Sequence, residues 1–245
     1  MRVLIFGGAG FIGTNAARRF QDQGHDVALF DNLSRRGAHA NLEWLRCQGS
    51  VEFIQGDVRD FGQVCAALHS SPKPAVVLHL AAQVAVTASV SEPRIDFEIN
   101  ALGSFNVLEG LRAACPEALL LFASTNKVYG GMEQIAIEAG PGTTADEIEG
   151  RYVYRDLPEG ISEAEGLDFH SPYGCSKGAA DQYVRDYARI YGLRTVVFRQ
   201  SCIYGPRQFG IEDQGWVAWF VILSAFGLAV RIYGDGKQVR DLLHV

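Results

Sequence analysis

Tyr173 and Lys177 are the pair of residues in this chain whose types and spacing most directly suggest chemistry. Residues four apart on a helix share one face. An ammonium held beside a phenol can lower the phenol pKa from about 10 toward neutrality. A tyrosine in that state can take the proton of an alcohol or sugar hydroxyl, and the hydride released in such a step needs an acceptor. We predict that Tyr173 and Lys177 form a catalytic pair. The alternative is that they are neighbours on the surface of a helix without a catalytic role.

Two hydroxyl residues, Ser124 and Thr125, follow the apolar run Leu119 to Phe122. Open α/β sheets bind their ligands at the carboxyl ends of the strands. We predict that Thr125 hydrogen-bonds the reacting oxygen while Tyr173 carries the proton, and that Ser124 is its neighbour. The alternative role for either hydroxyl is to cap the end of the strand.

The acceptor is suggested by the glycine-rich start of the chain, from Gly7 to Gly13, which follows a strand and opens a helix. Glycines there permit a tight turn and the close approach of a pyrophosphate to the helix N-terminus. Asp31 ends the second strand, where an acid can bind the adenosine ribose hydroxyls and disfavour a 2′-phosphate. We therefore predict NAD rather than NADP, although Arg35 and Arg36 weaken that preference. The residues that we expect to contact the cofactor are Gly7, Gly10, Phe11, Ile12, Gly13, Asp31, Asn32, Ser34, Arg35, Asp57, Val58, Leu80, Ala81, Gln83, Asn100, Ser124, Tyr173 and Lys177.

Short apolar runs alternate with helical patterns over the first 200 residues. The runs are too apolar to face water, which predicts a doubly wound parallel sheet covered on both faces, a Rossmann α/β fold. We expect strands at 2–6, 27–30, 51–54, 75–80, 119–122 and 195–198. We expect helices at 11–23, 60–70, 94–114 and 173–191, and a core or interface helix within 216–230.

Composition limits the classes of partner. The chain has 245 residues, 48% of them hydrophobic, and a formal net charge of -6 with scattered basic residues. This distribution of charge gives no indication of nucleic-acid binding, and no apolar run reaches the roughly 18 residues that are needed to span a bilayer. The five cysteines are widely spaced and show no metal-ligand pattern. We expect no metal, no signal peptide and a reducing, cytoplasmic location.

The later part of the chain departs from the alternating pattern. Residues 131–169 are polar and rich in Gly, Glu and Asp, which favours a substrate-covering loop over a merely superficial one. We assign residues 1–200 to a dinucleotide-binding domain that carries the tyrosine and lysine. We assign 201–245 to part of a smaller substrate domain, because so short a segment cannot form a full one and the chain stops within a new element.

The residues described so far resemble the extended short-chain dehydrogenase/reductase family, the NAD-dependent nucleotide-sugar epimerases and dehydratases. Longer strings at 124–130, 168–183, 204–209, 213–217 and 236–241 resemble a member that acts on a CDP-sugar. The resemblance covers essentially the whole chain. It implies a nucleotide-sugar substrate, NAD as cofactor, a homo-oligomer (dimer or tetramer), and a site of Thr125, Tyr173 and Lys177.

Two departures from the family pattern bear on activity. The 4,6-dehydratases carry an Asp-Glu pair after the strand-end threonine, whereas this chain has Asn126 and Lys127, so it lacks the proton carriers for elimination. Cys202 stands where many members have an asparagine that helps hold the substrate diphosphate, and a thiol is a poor substitute. We expect substrate contacts from Thr125, Asn126, Gln200, Arg207 and Gln208, with a structural role for Arg207 as the alternative.

The residues alone do not choose between inversion at C2 and at C4 of the sugar. An epimerase acting on a UDP- or GDP-sugar is one alternative. A catalytically silent NAD-binding regulator is another, and the joint presence of Tyr173 and Lys177 argues against it.

Overall fold

A computed structural model describes residues 1–140, 152–157 and 160–245. The strands in the described part of the chain are β1 (Arg2–Phe6), β2 (Asp26–Asp31), β3 (Glu52–Gln55), β4 (Val76–His79), β5 (Leu119–Thr125), β6 (Ile137–Ala139), β7 (Tyr152–Tyr154), β8 (Arg194–Gln200), β9 (Cys202–Tyr204) and β10 (Leu242–His244). The α-helices are α1 (Phe11–Asp22), α2 (Ala38–Gln48), α3 (Phe61–Leu68), α4 (Val86–Ser91), α5 (Pro93–Phe97), α6 (Gly103–Ala114), α7 (Ser171–Tyr191) and α8 (Trp216–Ala225).

Six of the strands form one parallel sheet in the order β3-β2-β1-β4-β5-β8. The order reverses between β1 and β4, which is where a crevice opens at the carboxyl edge of a doubly wound sheet. The predicted Rossmann fold and its six strands are confirmed, with small differences at the strand ends.

The core lies on both faces of this sheet because strand side chains alternate in direction. In β1, Leu4 and Phe6 pack in one buried cluster, whereas Val3 and Ile5 pack in the other. Helices α3, α6 and α7 contribute to the first cluster, and α1 and α2 contribute to the second. A strand that is buried on both sides has no polar face, which explains the apolar runs in the sequence.

The helices of the structure differ from the predicted ones in three places. Helix α2 was not expected, although Ala38, Leu42 and Leu45 recur at helical spacing and form its buried side. The single helix expected at 94–114 is divided into α5, a π-helical turn (Glu98–Leu102) and α6. The apolar stretch after Trp216 is helical only to Ala225, and Leu223 is its single buried residue in the described structure.

The segments that leave the main sheet are short. After β8 the chain forms β9, which pairs in parallel with β10. Within the predicted 131–169 loop, β6 and β7 form an antiparallel hairpin, and residues 141–151 and 158–159 lie outside the described residues. In the described part, no helix has both the length and the apolar character needed to cross a bilayer, and no cluster of three or more potential ligands is arranged for a metal ion.

Candidate active site

The tyrosine, lysine and threonine predicted to do chemistry come together where α7 packs against the end of β5. Thr125 is the last residue of β5, and Tyr173 lies in the first turn of α7 with Pro172 preceding it. Proline suits this position because its missing N–H would have no partner there. Lys177 follows one turn later on the same face. All three side chains are buried.

Two contacts hold the Lys177 ammonium group at the carboxyl edge of the sheet. Its Nζ donates a hydrogen bond to the Ala123 carbonyl oxygen at 2.5 Å and lies 4.5 Å from the centre of the Phe122 ring. Burial lowers its pKa to about 8, and the carboxylates of Asp181 and Asp96 act in the opposite direction. The lysine therefore titrates much closer to neutrality than an exposed lysine does.

The Tyr173 phenol behaves differently from the sequence-based expectation. Burial raises its pKa, and the charge of Asp96 adds to that effect, while an interaction with the Thr125 side chain opposes it. In the chain alone the phenol is thus held protonated, because a phenolate is costly when it is buried near a carboxylate. The lowering expected from the lysine is wrong for this state of the protein.

The Ser124 hydroxyl is occupied by a hydrogen bond to the buried Asp181–Arg199 ion pair, so it does not serve as a second catalytic hydroxyl. Its Oγ donates to Asp181 Oδ2 at 2.7 Å. Arg199, from the neighbouring strand β8, donates to both oxygens of Asp181 at 3.0 and 3.1 Å and to the Tyr129 hydroxyl at 2.9 Å. These contacts tie the ends of β5 and β8 to α7, and they leave Thr125 as the strand-end hydroxyl next to Tyr173.

A second polar network supports α7 from the opposite side. Ser176 Oγ donates to Asp96 Oδ2 at 2.5 Å, and Asn100 Nδ2 donates to Asp96 Oδ1 at 3.0 Å. Asn100 also exchanges hydrogen bonds with the Gln83 backbone, at 3.0 Å in each direction. Asn100 lies in the π-helical turn Glu98–Leu102 and is buried. The asparagine thus holds the Gln83 loop.

The glycine-rich start forms a cradle that only glycine permits. Gly7 has φ of +80°, and a Cβ placed there would lie 2.6 Å from the Ala81 nitrogen. A Cβ on Gly13 would lie 2.3 Å from the Gly7 carbonyl oxygen. Gly10 is the N-cap of α1 and has no side chain to cap it. The first amide groups of the helix and its positive end are available to an anion, so the loop fits the diphosphate of a dinucleotide.

Two acids at the carboxyl ends of β2 and β3 are arranged as expected for the adenosine end. Asp31 accepts hydrogen bonds from the amides of Ala9 and Leu33 at 3.0 and 2.8 Å, although burial raises its pKa. Asp57 pairs with Arg59 and accepts from Asn32 Nδ2 at 2.9 Å, and these contacts lower its pKa to about 2. Both carboxylates keep further lone pairs, which the ribose hydroxyls and the adenine amino group can use.

The segment of residues 206–216 crosses over this adenosine end. Asn41 Nδ2 donates to the Ala9 and Arg207 carbonyl oxygens at 3.2 and 3.4 Å, and Arg207 Nε donates back to Asn41 Oδ1 at 3.1 Å. The Arg207 guanidinium also lies 5.2 Å from the centre of the Trp44 indole. Further along, Arg35 donates to the Gln214 side chain. The 206–216 segment is therefore bound to the same loops that form the dinucleotide cradle.

These elements enclose one cleft of about 600 Å³ at the carboxyl edge of the sheet. The predicted residues that line it are Gly7, Gly10, Phe11, Ile12, Gly13, Asp31, Asn32, Ser34, Arg35, Asp57, Val58, Leu80, Ala81, Gln83, Ser124, Thr125, Asn126, Tyr173, Lys177, Gln200, Arg207 and Gln208. Asn100 does not line it and lies behind Gln83. Lining residues to which the sequence analysis gave no role include Asn41, Lys127, Phe209, Gln214 and Trp216. The strings at 204–209 and 213–217 drew attention to this region without indicating what its side chains contact.

Comparisons with known proteins agree with this arrangement. A model of the NAD dependent epimerase/dehydratase family matches residues 3–245. CDP-paratose 2-epimerase of Salmonella typhi is 49% identical over 249 residues, which cover 100% of this chain and 71% of that protein. Pal from Bacillus thuringiensis has a TM-score of 0.81 at 34% identity, with 100% of this chain and 70% of that chain covered. UDP-glucose 4-epimerase of Thermus thermophilus, in complex with NAD, has a TM-score of 0.76 at 34% identity and the same coverage.

Proposed function

Since the chain belongs to the NAD dependent epimerase/dehydratase family, we propose that it inverts C2 of a nucleotide sugar, converting CDP-paratose into CDP-tyvelose. The observation that carries this proposal is the position of Tyr173 beside Thr125 at the end of β5, in the same cleft as the glycine cradle. The choice of C2 and of a CDP-sugar rests on the 49% identity to CDP-paratose 2-epimerase.

NAD is the cofactor of this family, and when bound it supplies a hydride acceptor, then a hydride donor, and a positive charge within the cleft. The groups that would hold it are the Gly7–Gly13 loop for the diphosphate, Asp31 for the adenosine ribose, and Asp57 for the adenine edge. Lys177 is buried beside the Ala123 carbonyl and Phe122, where it can hydrogen-bond the ribose of the nicotinamide half.

In the proposed cycle, Tyr173 takes the proton of the C2 hydroxyl as the hydrogen on C2 leaves with its electron pair, which gives a 2-keto sugar. Thr125 hydrogen-bonds the same oxygen and holds it next to the phenol. A positive charge brought into the cleft favours the phenolate, which offsets the rise in the Tyr173 pKa caused by burial. The sugar then turns while its nucleotide end stays bound. Hydride returns to the other face of C2, and Tyr173 gives its proton back to the oxygen.

We further propose that residues 1–200 form the dinucleotide-binding unit and that 201–245 belong to the unit that binds the nucleotide sugar. Support comes from the chain path: the six-stranded sheet ends at Gln200, and Cys202, Gln208 and Trp216 contribute the outer wall of the cleft. The substrate would therefore lie between the sheet edge and this wall.

A homo-oligomer is also part of the proposal. Helices α5, α6 and α7 expose a group of large apolar side chains, among them Phe97, Phe105, Tyr183, Ile190 and Tyr191. Phe105 packs edge-on against Tyr183, with the ring centres 5.7 Å apart, so at least this part of the group is continuous. Large apolar patches on a folded chain mark interaction sites. Light scattering of the purified protein would detect a dimer or a tetramer.

The catalytic proposal is tested by incubating the purified protein with CDP-paratose in deuterated water and following the sugar by NMR. We expect CDP-tyvelose without deuterium at C2, because the hydride returns from the cofactor rather than from solvent. Solvent deuterium at C2 would contradict hydride return. Parallel incubations with UDP- and GDP-sugars examine inversion at C4.

The role of Tyr173 is tested with the Tyr173→Phe variant. We expect it to bind NAD as the wild type does and to lose turnover by roughly 10²–10⁴-fold, the range for a lost general acid–base group. Tyr191→Phe, at the exposed far end of the same helix and outside the cleft, is the matched control and should keep full activity. A Tyr173→Phe variant with wild-type turnover would refute the assignment. Wild-type protein that binds NAD and converts no nucleotide sugar would favour a regulator.

A further inference from the structure

Asp96 is a buried carboxylate that the reaction described above does not use. It lies on α5, is only 1% exposed and does not line the cleft. In the part of the chain that the structure describes, none of the ion pairs includes it. A carboxylate is costly to bury without a cation unless hydrogen-bond donors take the place of water. The donors around Asp96 therefore indicate what the residue does.

Three side chains donate to this carboxylate, and each comes from a different segment. Ser176 on α7 donates to Oδ2 at 2.5 Å. Asn100 in the π-helical turn and Gln83 in the loop between β4 and α4 donate to Oδ1 at 3.0 and 3.3 Å. A carboxylate accepts at both oxygens, whereas an amide would turn an N–H group toward the donors on one side. The charge at Asp96 thus joins donors on two opposite sides.

The segments that meet at Asp96 are two parts of the active site. Ser176 directly precedes Lys177 on α7, and its hydroxyl is also 3.2 Å from the carbonyl oxygen of Tyr173, one turn earlier. Gln83 lines the cleft itself. The carboxylate therefore connects a loop of the cleft wall to the helix turns that carry the proton-transfer pair.

We propose that Asp96 is a positioning residue: its carboxylate fixes the first turns of α7 against the loop between β4 and α4, and so sets where Tyr173 and Lys177 lie relative to the cofactor. This inference rests on the proposed function, because it takes proton and hydride transfer as the reaction to be positioned. Such transfers need reacting atoms about 3–3.5 Å apart, so a shift of α7 by about 1 Å would lower the rate.

The charge of Asp96 provides a second readout beside its hydrogen bonds. It raises the pKa of Tyr173, in the same direction as burial does. Helix α4, which packs against α5 and α7, carries no ionisable side chain. Removing the charge of Asp96 should therefore lower the phenol pKa, whereas removing only the Ser176 hydroxyl should not. Other ionisable side chains around the start of α7, which the test leaves in place, include His79, Lys127, Lys177 and the ion pairs Asp181–Arg199 and Glu98–Arg94.

The test compares the NAD-loaded wild type with Asp96→Asn, Ser176→Ala and the double variant. For Asp96→Asn we expect kcat to fall about 10–100-fold, as for a misplaced reacting group, with the KM for the nucleotide sugar near the wild-type value because Asp96 lies outside the cleft. Ser176→Ala should change kcat in the same direction. The double variant should lose less than the product of the two single losses, because both changes break the same contact.

The matched control is Asp22→Asn, which removes the same charge from an exposed position on α1 where the carboxylate pairs with Arg18. It should keep the wild-type kcat. Far-UV circular dichroism shows that each variant is folded.

The pH profile separates positioning near the phenol from a general loss of stability. Tyr173 takes the substrate proton as phenolate, so activity rises with pH through its pKa. The acid limb of the kcat profile should lie at lower pH in Asp96→Asn and at the wild-type pH in Ser176→Ala. A merely structural role for Asp96 would leave the limb in place.

Amide hydrogen exchange tests the same anchor without a substrate. The Gln83 N–H donates to Asn100 Oδ1, and Asp96 holds the other end of that amide. We expect exchange at Gln83 to be at least about tenfold faster in Asp96→Asn, since one or two hydrogen bonds are lost. If the wild type converts no nucleotide sugar, the proposed function fails, and faster exchange still supports the anchor. Unchanged exchange would overturn the proposal, as would a wild-type kcat or an unmoved acid limb in Asp96→Asn.

Discussion

The ion pair between Asp181 and Arg199 allows a direct test of what stabilises the packing of α7 against the ends of β5 and β8. Asp181 is completely buried on α7, one turn after Lys177, and the Arg199 side chain is only 12% exposed. We consider the change Arg199→Met, which keeps an apolar side chain of similar length near Tyr129 and removes the charge. The carboxylate of Asp181 would then be buried without its cation.

The size of the effect follows from the contacts that remain. Breaking a buried ion pair by removing one partner costs about 3–5 kcal/mol, because the other charge is left uncompensated. Asp181 would keep two donors, Ser124 at 2.7 Å and Gln182 at 2.9 Å, which places the loss near the lower end. We expect a fall of about 3 kcal/mol in the free energy of unfolding, or roughly 6–12 °C in Tm for a chain of this size.

The assay is urea and thermal unfolding of the NAD-loaded protein. Arg155→Met, which breaks an exposed pair with Glu138, is the control and should cost less than about 1 kcal/mol. The double variant Asp181→Asn with Arg199→Met should be more stable than Arg199→Met alone, since it no longer buries an unpaired charge. A loss for Arg199→Met no larger than that of the control would refute the reasoning. A double variant less stable than the single one would refute it as well.

Three other outcomes are expected. The pKa of Lys177 is about 8 in the folded chain and near 10.5 when unfolded, so the unfolded state binds more protons between these values and the free energy of unfolding rises with pH from about 8 to 10.5. In unfolding measurements Lys177→Met should lack this rise, and plots of unfolding free energy against pH that run parallel for the two proteins would contradict it. Gly13→Ala should abolish NAD binding in a fluorescence titration, since its Cβ would lie 2.3 Å from a carbonyl oxygen, whereas Gly49→Ala, with nothing within 4 Å, should bind normally. Asn41→Ala removes the hydrogen bonds that hold the 206–216 segment, and it should speed NAD dissociation roughly tenfold because one or two hydrogen bonds are lost. An unchanged dissociation rate in stopped-flow exchange would show that the segment does not retain the cofactor.

Local sequence patterns were sufficient to predict the parallel sheet and the glycine loop, because each pattern reflects a short-range constraint. The apolar runs predicted the strands of the sheet since strands buried on both faces exclude polar residues. The glycine loop could be located because the turn from β1 to α1 excludes any Cβ at Gly7 and Gly13. Helix α2 was missed although its buried positions have helical spacing, and the sequence pattern gave no sign of the π-helical turn that divides the predicted 94–114 helix.

The sequence by itself determined which residues stand at the carboxyl edge of the sheet, since strand ends and a helix face follow from periodicity. Only the tertiary structure decided their electrostatic state and their partners. The pKa of Tyr173 is raised rather than lowered, and Arg207 contacts Asn41 and Trp44, because burial and charge depend on groups far away in the chain.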